Sequence, residues 1–213
     1  MTADTVLHLE VLPPAQRAFW DHELDRIPPG WVLYGGTAIA LHVGHRQSRD
    51  FDFFSADNLN RVALRGASKM LAEADTLQDE PNRLTVVVNK REAPIKLSFL
   101  GGIDFGRVGE PVRIRGVARI ASRLDLLGTK LATVTQRIES RDYVDIAALL
   151  ASGLTINDGV AALLSLYGSR ASGLQSVKTI AWFKDGDLER VLPDDVKDSL
   201  TRAAAAYYPR TLP

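Results

Sequence analysis

The spacing of apolar residues changes near the middle of this 213-residue chain. Before Ser122, runs that alternate at the two-residue period of a β-strand are interspersed with helical stretches, whereas later residues show only the 3.6-residue period of a helix. This change predicts an α/β domain with a small mixed sheet over residues 1–121 and a helical domain over residues 122–213.

The first predicted domain contains both strand and helix signals. The patterns predict strands at Trp31–Tyr34, Arg49–Phe54, Arg83–Asn89, Ile95–Leu100 and Val112–Val117, and helices at Pro14–Ile27, Thr37–Val43 and Leu59–Ala74. Gly44 is the predicted C-terminal stop of the second helix, because glycine adopts a left-handed conformation without strain. A charged turn is predicted over residues 90–94.

The second predicted domain begins with one long helix. Its apolar positions alternate in steps of three and four from Leu124 to Ile138, and Ser122 is a suitable N-cap because its hydroxyl can accept from a first-turn amide. Further helices are predicted at about residues 142–151, 157–167, 174–183 and 194–207.

Charge and composition exclude several classes of protein. Lys and Arg total 26 and Asp and Glu total 26, so a bound polyanion must meet a local patch rather than a broadly basic surface. The absence of cysteine excludes a disulfide framework, a thiolate metal site and a cysteine nucleophile. The first twenty residues lack the apolar core of a secretory signal, and no stretch reaches the roughly 20 apolar residues of a membrane span. We therefore expect a soluble, cytoplasmic protein with no membrane partner.

Two carboxylates on one predicted strand are the strongest chemical signal. Alternate side chains of a strand share a face, so Asp50 and Asp52 point the same way, about 6.6–6.8 Å apart along the backbone, while Phe51 points to the core. Such a pair can ligate Mg²⁺ or Mn²⁺, which prefer oxygen ligands. Alone, a D-x-D sequence is usually only a solvated strand face.

A double-glycine turn precedes the same strand. Gly35 and Gly36 would let a phosphate approach the backbone, and a helix that starts near Thr37 presents unpaired amides and its positive dipole end. A double glycine by itself is usually only a turn. Together with the carboxylate pair, it predicts phosphoryl or nucleotidyl transfer.

Two segments resemble a known family. Tyr34–Ser55, YGGTAIALHVGHRQSRDFDFFS, closely resembles the signature of nucleotidyltransferase-fold proteins of the AbiEii/AbiGii toxin family, the toxin halves of type IV toxin-antitoxin and abortive-infection systems. Asp125–Leu150 resembles the family's helical lysine and aspartate motifs, and the resemblance covers roughly residues 15–150. It implies a polymerase-β-like nucleotidyltransferase N-terminal domain followed by a helical C-terminal domain.

The resemblance also implies roles for individual residues. It implies that Asp50 and Asp52 ligate the catalytic metals and that Lys130 binds nucleotide phosphate, with Asp142 and Asp145 at later acidic positions. The predicted catalytic residues are Asp50, Asp52, Lys130 and Asp142, and the predicted nucleotide-binding residues are Gly35, Gly36, Thr37, Lys130 and Arg137.

Alternatives remain open for the helical residues. Lys130 could extend from the edge of its apolar stripe to water, and Asp142 could act only on the dipole of its own helix. Asp142 and Asp145 could also orient Lys130 or Arg137, because residues three apart on a helix face one side.

One position departs from the polymerase-like pattern. A third carboxylate is expected on the strand Ile95–Leu100, where Lys96 and Ser98 share a face, but Ser98 carries no charge. We therefore expect a nucleotidyltransferase, with weak activity as one possibility, that transfers NMP from an NTP to an acceptor. The expected acceptor is RNA, at a tRNA 3′ end, and the chain would act as a toxin with a cognate antitoxin as a possible partner. The alternative is a catalytically degenerate module that binds a nucleotide, an RNA or a partner protein.

Overall fold

The computed structural model describes residues 6–89, 93–114 and 118–209. The chain forms two compact units. The first comprises Met1–Gly106 and Glu110–Ala121, and the second comprises Arg107–Gly109 and Ser122–Pro213.

The first unit is built on a mixed sheet, which has seven strands within the described residues. The strands are β1 (Val32–Tyr34), β2 (Asp50–Phe54), β3 (Asp75–Glu80), β4 (Arg83–Val88), β5 (Ile95–Leu100), β6 (Val112–Ile114) and β7 (Ala118–Ile120). They are ordered β3-β4-β5-β2-β1-β7-β6. The pairs β1–β7 and β2–β5 are parallel and the others antiparallel, so β2 lies inside the sheet, between β1 and β5.

Aromatic residues on one face of the sheet form much of the first unit's core. Phe51 and Phe53 of β2 are almost completely buried, and Phe53 stacks on Phe99 of β5 at 5.3 Å between ring centroids. The helices of this unit are α1 (Pro14–His22), α2 (Gly35–Val43), α3 (Arg61–Gly66) and α4 (Lys69–Ala72). Phe19 of α1 packs on Phe51 at 4.7 Å, which ties the helix to the centre of the sheet.

The second unit is helical in its described residues. Its helices are α5 (Arg123–Thr133), α6 (Ser140–Ala151), α7 (Ile156–Tyr167), α8 (Gly173–Ile180), α9 (Leu188–Val191) and α10 (Asp194–Ala205). Glycines allow α5 and α7 to pack closely, because a Cβ on Gly128 would lie 3.0 Å from the amide nitrogen of Leu163. The side chain of Ser122 accepts from the amide of Asp125, which confirms Ser122 as the N-cap of α5.

Most predicted elements are confirmed, including the left-handed Gly44 that ends α2 at φ 69°. The helix predicted over Leu59–Ala74 is wrong as a single element, because Ala67 and Ser68 separate α3 from α4. Val62 of α3 is 85% exposed and so takes no part in a buried stripe. The edge strand β3 was not predicted, since its sequence DTLQDE has only one apolar residue. The short strand β7 was not predicted either.

The helix predicted to reach Ile138 is also shorter than expected. α5 ends at Thr133, and Ile138 is 49% exposed, because the chain turns toward the start of α6. Residues 90–92 of the predicted turn and residues 115–117 of the last predicted strand lie outside the described residues.

Candidate active site

The two strand carboxylates share one face of β2. Phe51 lies between the two aspartates and Phe53 follows Asp52, and these two rings are 0% and 2% exposed. Asp50 and Asp52 are partly exposed on the opposite face. This arrangement follows from the two-residue period of a strand, which turns alternate side chains to opposite faces. The sequence-based placement of both aspartates on a single face is therefore confirmed.

The neighbouring strand β5 adds a lysine and a serine to this face. The parallel register aligns Asp50 with Lys96 and Asp52 with Ser98. The Lys96 ammonium lies 3.0 Å from Oδ2 of Asp50, and the two side chains are 42% and 41% exposed. The alternation of IKLSFL predicts Lys96 on the polar face of its strand, but only the strand register brings its charge to Asp50.

Ser98 occupies the place across from Asp52 where the polymerase-like pattern predicts a carboxylate. Ser98 is 8% exposed, and its other neighbour in the antiparallel β4 register is Thr85, which is 7% exposed. The polar face of β2 and β5 thus carries Asp50, Asp52 and Lys96 as its formal charges, a net charge of about −1 at neutral pH.

The turn from β1 into α2 lies against Asp52. Gly35, the first residue of α2, has φ +71°, and a Cβ placed on it would lie 2.5 Å from Oδ2 of Asp52. Both the left-handed backbone and the close approach therefore require glycine. The first amides of a helix have no partner within it, so the positive end of α2 is directed to the neighbourhood of this carboxylate. Gly36, the second residue of α2, is half-buried.

Thr37 has a buried hydroxyl that joins α2 to β2. The residue is 1% exposed, and its hydroxyl donates to the backbone carbonyl of Asp50 and lies 2.7 Å from Oγ of Ser48. These contacts position the first turn of α2 relative to the strand that carries both aspartates. The hydroxyl is thereby occupied inside the protein, which leaves the backbone amide as the group with which Thr37 could contact a phosphate.

An aromatic cluster adjoins the carboxylates. Tyr34 of β1 is aligned with Asp52, and its ring stacks on Phe54 at 4.7 Å with 13° between the planes. Phe105 meets both rings edge-on, at 6.1 and 6.3 Å between centroids. The polar face of β2 therefore has an apolar wall next to Asp52, at the end of the strand that carries Phe54.

The predicted residues of the second unit form a buried ion cluster. Lys130 of α5 is 7% exposed; its ammonium pairs with Asp142 and lies 2.8 Å from Oδ2 of Asp145. Asp142 and Asp145 of α6 are 1% and 0% exposed. Nε of Arg137, whose side chain is 53% exposed, lies 3.0 Å from Oδ2 of Asp142. The structure thus brings Lys130, Arg137, Asp142 and Asp145 together, with two positive and two negative charges.

This cluster favours one of the interpretations left open by the sequence. Lys130 does not extend from the helix to bulk water, because its charged end is held between two buried carboxylates. Removal of either sign of charge would leave an uncompensated buried ion, which is costly in a medium of low polarity. Asp142 and Asp145 therefore orient Lys130, and Asp142 also orients Arg137.

The polar face of β2 and β5 offers oxygen ligands for a cation. Among residues 6–89, 93–114 and 118–209, no group of three or more His, Cys, Asp or Glu side chains is arranged to hold a metal ion. The two carboxylates of β2 and the Ser98 hydroxyl nevertheless fit Mg²⁺, which is commonly held by one or two carboxylates and takes water and substrate phosphate oxygens as its other ligands.

One known family matches most of the chain. The model of the family described as nucleotidyl transferase AbiEii toxin, Type IV TA system, matches residues 19–206. The chain belongs to this family. The resemblance seen in the sequence is thereby confirmed and extends through most of the helical unit. AbiEii family membership makes the chain a nucleotidyltransferase of the toxin type, which implies a nucleotide substrate and a cognate antitoxin.

Solved structures show the same fold for this AbiEii family member. JHP933 from Helicobacter pylori is 19% identical, with a TM-score of 0.56 and coverage of 85% of both chains. MenT4, the nucleotidyltransferase toxin Rv2826c from Mycobacterium tuberculosis H37Rv, is 11% identical, with a TM-score of 0.55 and coverage of 88% of this chain and 78% of MenT4. None of the curated proteins matches the chain. The fold is thus that of a nucleotidyltransferase, as the sequence predicted.

A helix that crosses a membrane must be both long and apolar. In the part of the chain that the structure describes, no single helix meets both requirements. The segments Ser140–Ala151 and Ile156–Arg170 meet them only when joined across a bend of 116°.

Proposed function

We propose that this protein transfers the NMP of a nucleoside triphosphate to an acceptor hydroxyl, in a reaction that requires Mg²⁺ or Mn²⁺. The acceptor that we propose is RNA, at a tRNA 3′ end. The observation that carries the proposal is the placement of Asp50 and Asp52 on one face of β2 against the glycine turn at the start of α2. An acidic pair beside a helix N-terminus supplies ligands for a cation and for phosphate within one small region.

The chemistry is an in-line displacement at the α-phosphate. A bond forms between the acceptor oxygen and the α-phosphorus, the bond from that phosphorus to the bridging oxygen breaks, and pyrophosphate leaves while the hydroxyl proton passes to solvent. Asp50 and Asp52 would hold the divalent cation, which when bound supplies positive charge to the phosphate oxygens. The backbone of Gly35, Gly36 and Thr37 would orient the triphosphate through the free amides at the start of α2.

We also propose Lys130 and Arg137 of the second unit as ligands of nucleotide phosphate, a role that the family resemblance implies for Lys130. The ammonium of Lys130 is paired with Asp142 and Asp145. A phosphate oxygen that binds Lys130 would therefore have to join these two carboxylates around the ammonium or displace one of them. Arg137 is more accessible, with half of its side chain exposed and its guanidinium oriented by Asp142. We assign Asp142 as a positioning residue for the side chains of both Lys130 and Arg137.

The test measures transfer of radioactive NMP from each α-labelled NTP to total RNA, at a series of Mg²⁺ and Mn²⁺ concentrations. Asp52→Asn preserves volume but removes a metal-binding charge, so we expect the rate to fall by about 10²-fold or more. Asp198→Asn is the matched control, because Asp198 is exposed on α10 and makes the same change of charge in the second unit. Equal transfer rates for wild type and Asp52→Asn would remove the carboxylate pair from the mechanism.

A second candidate is a binding module without turnover. Ser98 in the place of a third carboxylate, together with the Lys96–Asp50 ion pair, favours this alternative because both reduce the negative charge available for cations. Under this alternative the protein binds NTP or RNA in equilibrium measurements but yields no labelled product. Transfer that depends on Asp52 would exclude it.

A further inference from the structure

The ammonium of Lys96 lies beside one of the two carboxylates of β2. Strand pairing places Lys96 directly beside Asp50, at 3.0 Å from Oδ2, on the face that also carries Asp52. Both members of the pair are about two-fifths exposed, so the contact faces the solvent side of the sheet rather than the core. An ammonium at this distance repels any divalent cation that approaches the same carboxylate oxygen.

The count of charges leads to the same conclusion. Cation affinity in oxygen-ligand sites depends on the number of charged ligands. A site with three carboxylates and no lysine would carry a charge of −3, whereas Asp50, Asp52 and Lys96 sum to −1, with neutral Ser98 across from Asp52. A net charge of −1 is suited to one divalent cation and opposes a second.

We propose that Lys96 takes the place of one of the two cations of a polymerase-like site, so that the protein binds a single divalent cation, ligated chiefly by Asp52. This inference rests on the proposed function, because it concerns the cation used by that site. Lys96 is a positioning residue: it holds Asp50 and contributes one fixed positive charge on the polar face of β2 and β5. Relative to a site with three carboxylates, Ser98 removes one negative charge and Lys96 adds one positive charge. Both differences weaken the attraction for a second cation.

The test counts bound Mn²⁺ by electron paramagnetic resonance of free Mn²⁺, with no nucleotide and no measurement of activity. We expect one Mn²⁺ per wild-type chain. Lys96→Met should bind it about tenfold more tightly, as expected for the loss of a unit charge at ~5 Å from a divalent ion in a water-like dielectric. The double variant with Lys96→Met and Ser98→Asp should bind two.

Two controls separate charge from changes of shape. Lys96→Arg keeps the positive charge and should retain the wild-type Mn²⁺ dissociation constant. Lys69→Met removes one positive charge at a position on α4 whose side chain is 86% exposed. Thermal unfolding of each variant establishes that it is folded. The inference would be overturned if the wild type bound two Mn²⁺ ions or none. It would also be overturned if Lys96→Met left the Mn²⁺ dissociation constant unchanged, or if Lys96→Met and Lys96→Arg changed that constant equally.

The Mn²⁺ count and the transfer assay fail independently. A single Mn²⁺ with no NMP transfer would retain the role of Lys96 and reject the proposed reaction. Transfer that depends on Asp52 together with two Mn²⁺ ions in the wild type would retain the reaction and reject the role of Lys96.

Discussion

Single residues determine the shape of the candidate site through contacts between distant parts of the sequence. Gly35 is a clear example, because its backbone is left-handed and its Cα faces the carboxylate of Asp52. The requirement for glycine therefore comes from the strand β2 as well as from the turn itself. A side chain at this position would displace one of the two proposed cation ligands.

Gly35→Ala should destabilise the protein by about 1–3 kcal/mol, because the new Cβ meets Oδ2 of Asp52 and the left-handed backbone is strained for alanine. Transfer activity should fall as well, since Asp52 must move. Urea unfolding and the NMP-transfer rate measure these effects. The control is Gly66→Ala, where a Cβ meets nothing within 4 Å and alanine is the better helix former. Equal stabilities of the two variants would contradict the contact.

Lys130→Ala should destabilise the second unit by about 3–5 kcal/mol, because it leaves Asp142 and Asp145 buried without their shared cation. A loss of activity in this variant is therefore insufficient to assign Lys130 to phosphate binding. Denaturant unfolding provides the measurement, with Lys178→Ala at an exposed position of α8 as the control. If Lys130→Ala were as stable as wild type, the buried cluster would not support the fold.

At the scale of elements, close helix packing depends on small residues. The helices α5 and α7 approach each other where Gly128 faces the backbone of Ala162 and Leu163, and Gly159 faces Leu127 and Leu131. Since α5 also carries Lys130, its packing against α7 determines where the charged cluster is held.

Gly128→Ala should lower the free energy of unfolding by about 1–3 kcal/mol, although alanine favours helix formation. The added Cβ would lie 3.0–3.1 Å from backbone atoms of α7, so the two helices must separate by a few tenths of an ångström. Chemical denaturation would measure the change, and Ser165→Ala on the exposed side of α7 is a suitable control. A more stable Gly128→Ala protein would show that the helix interface tolerates this separation.

At the scale of the whole molecule, family membership joins the chemistry to a biological effect. The chain belongs to a family of nucleotidyltransferase toxins, and its formal net charge of zero gives no broad attraction to RNA. Recognition of an RNA acceptor must then come from a local surface. Toxicity offers a test that is independent of the identity of that acceptor.

Induced expression of the wild-type chain in a bacterial host should reduce colony formation, and Asp52→Asn should restore it, because the proposed reaction depends on the strand carboxylates. Colony counts after induction, with protein amounts matched by immunoblot, measure the effect. Asp198→Asn should remain toxic. Equal toxicity of wild type and Asp52→Asn would show that growth inhibition does not need NMP transfer.

The sequence by itself determined the features that depend on local order. The two-residue period placed Asp50 and Asp52 on one face, the glycine turn marked the start of α2, and Ser122 marked the start of α5. These relations extend over a few residues, so backbone geometry alone defines them. The edge strand β3 was not predicted because its residues are mostly polar. The end of α5 was predicted too late because the exposed Ile138 continues the apolar spacing of the helix beyond its actual end.

Only the tertiary structure decided which charges meet. Strand register pairs Lys96 with Asp50 across 46 positions, the fold of the first unit sets Gly35 against Asp52, and helix packing buries Lys130 between Asp142 and Asp145. The sequence showed that these residues had suitable chemistry and, in part, that they shared a face. Their distances and burial arise from contacts between separate elements. The periodicity of a single strand or helix gives the face on which a side chain lies, but it names neither the neighbour on another element nor the depth at which the side chain is packed.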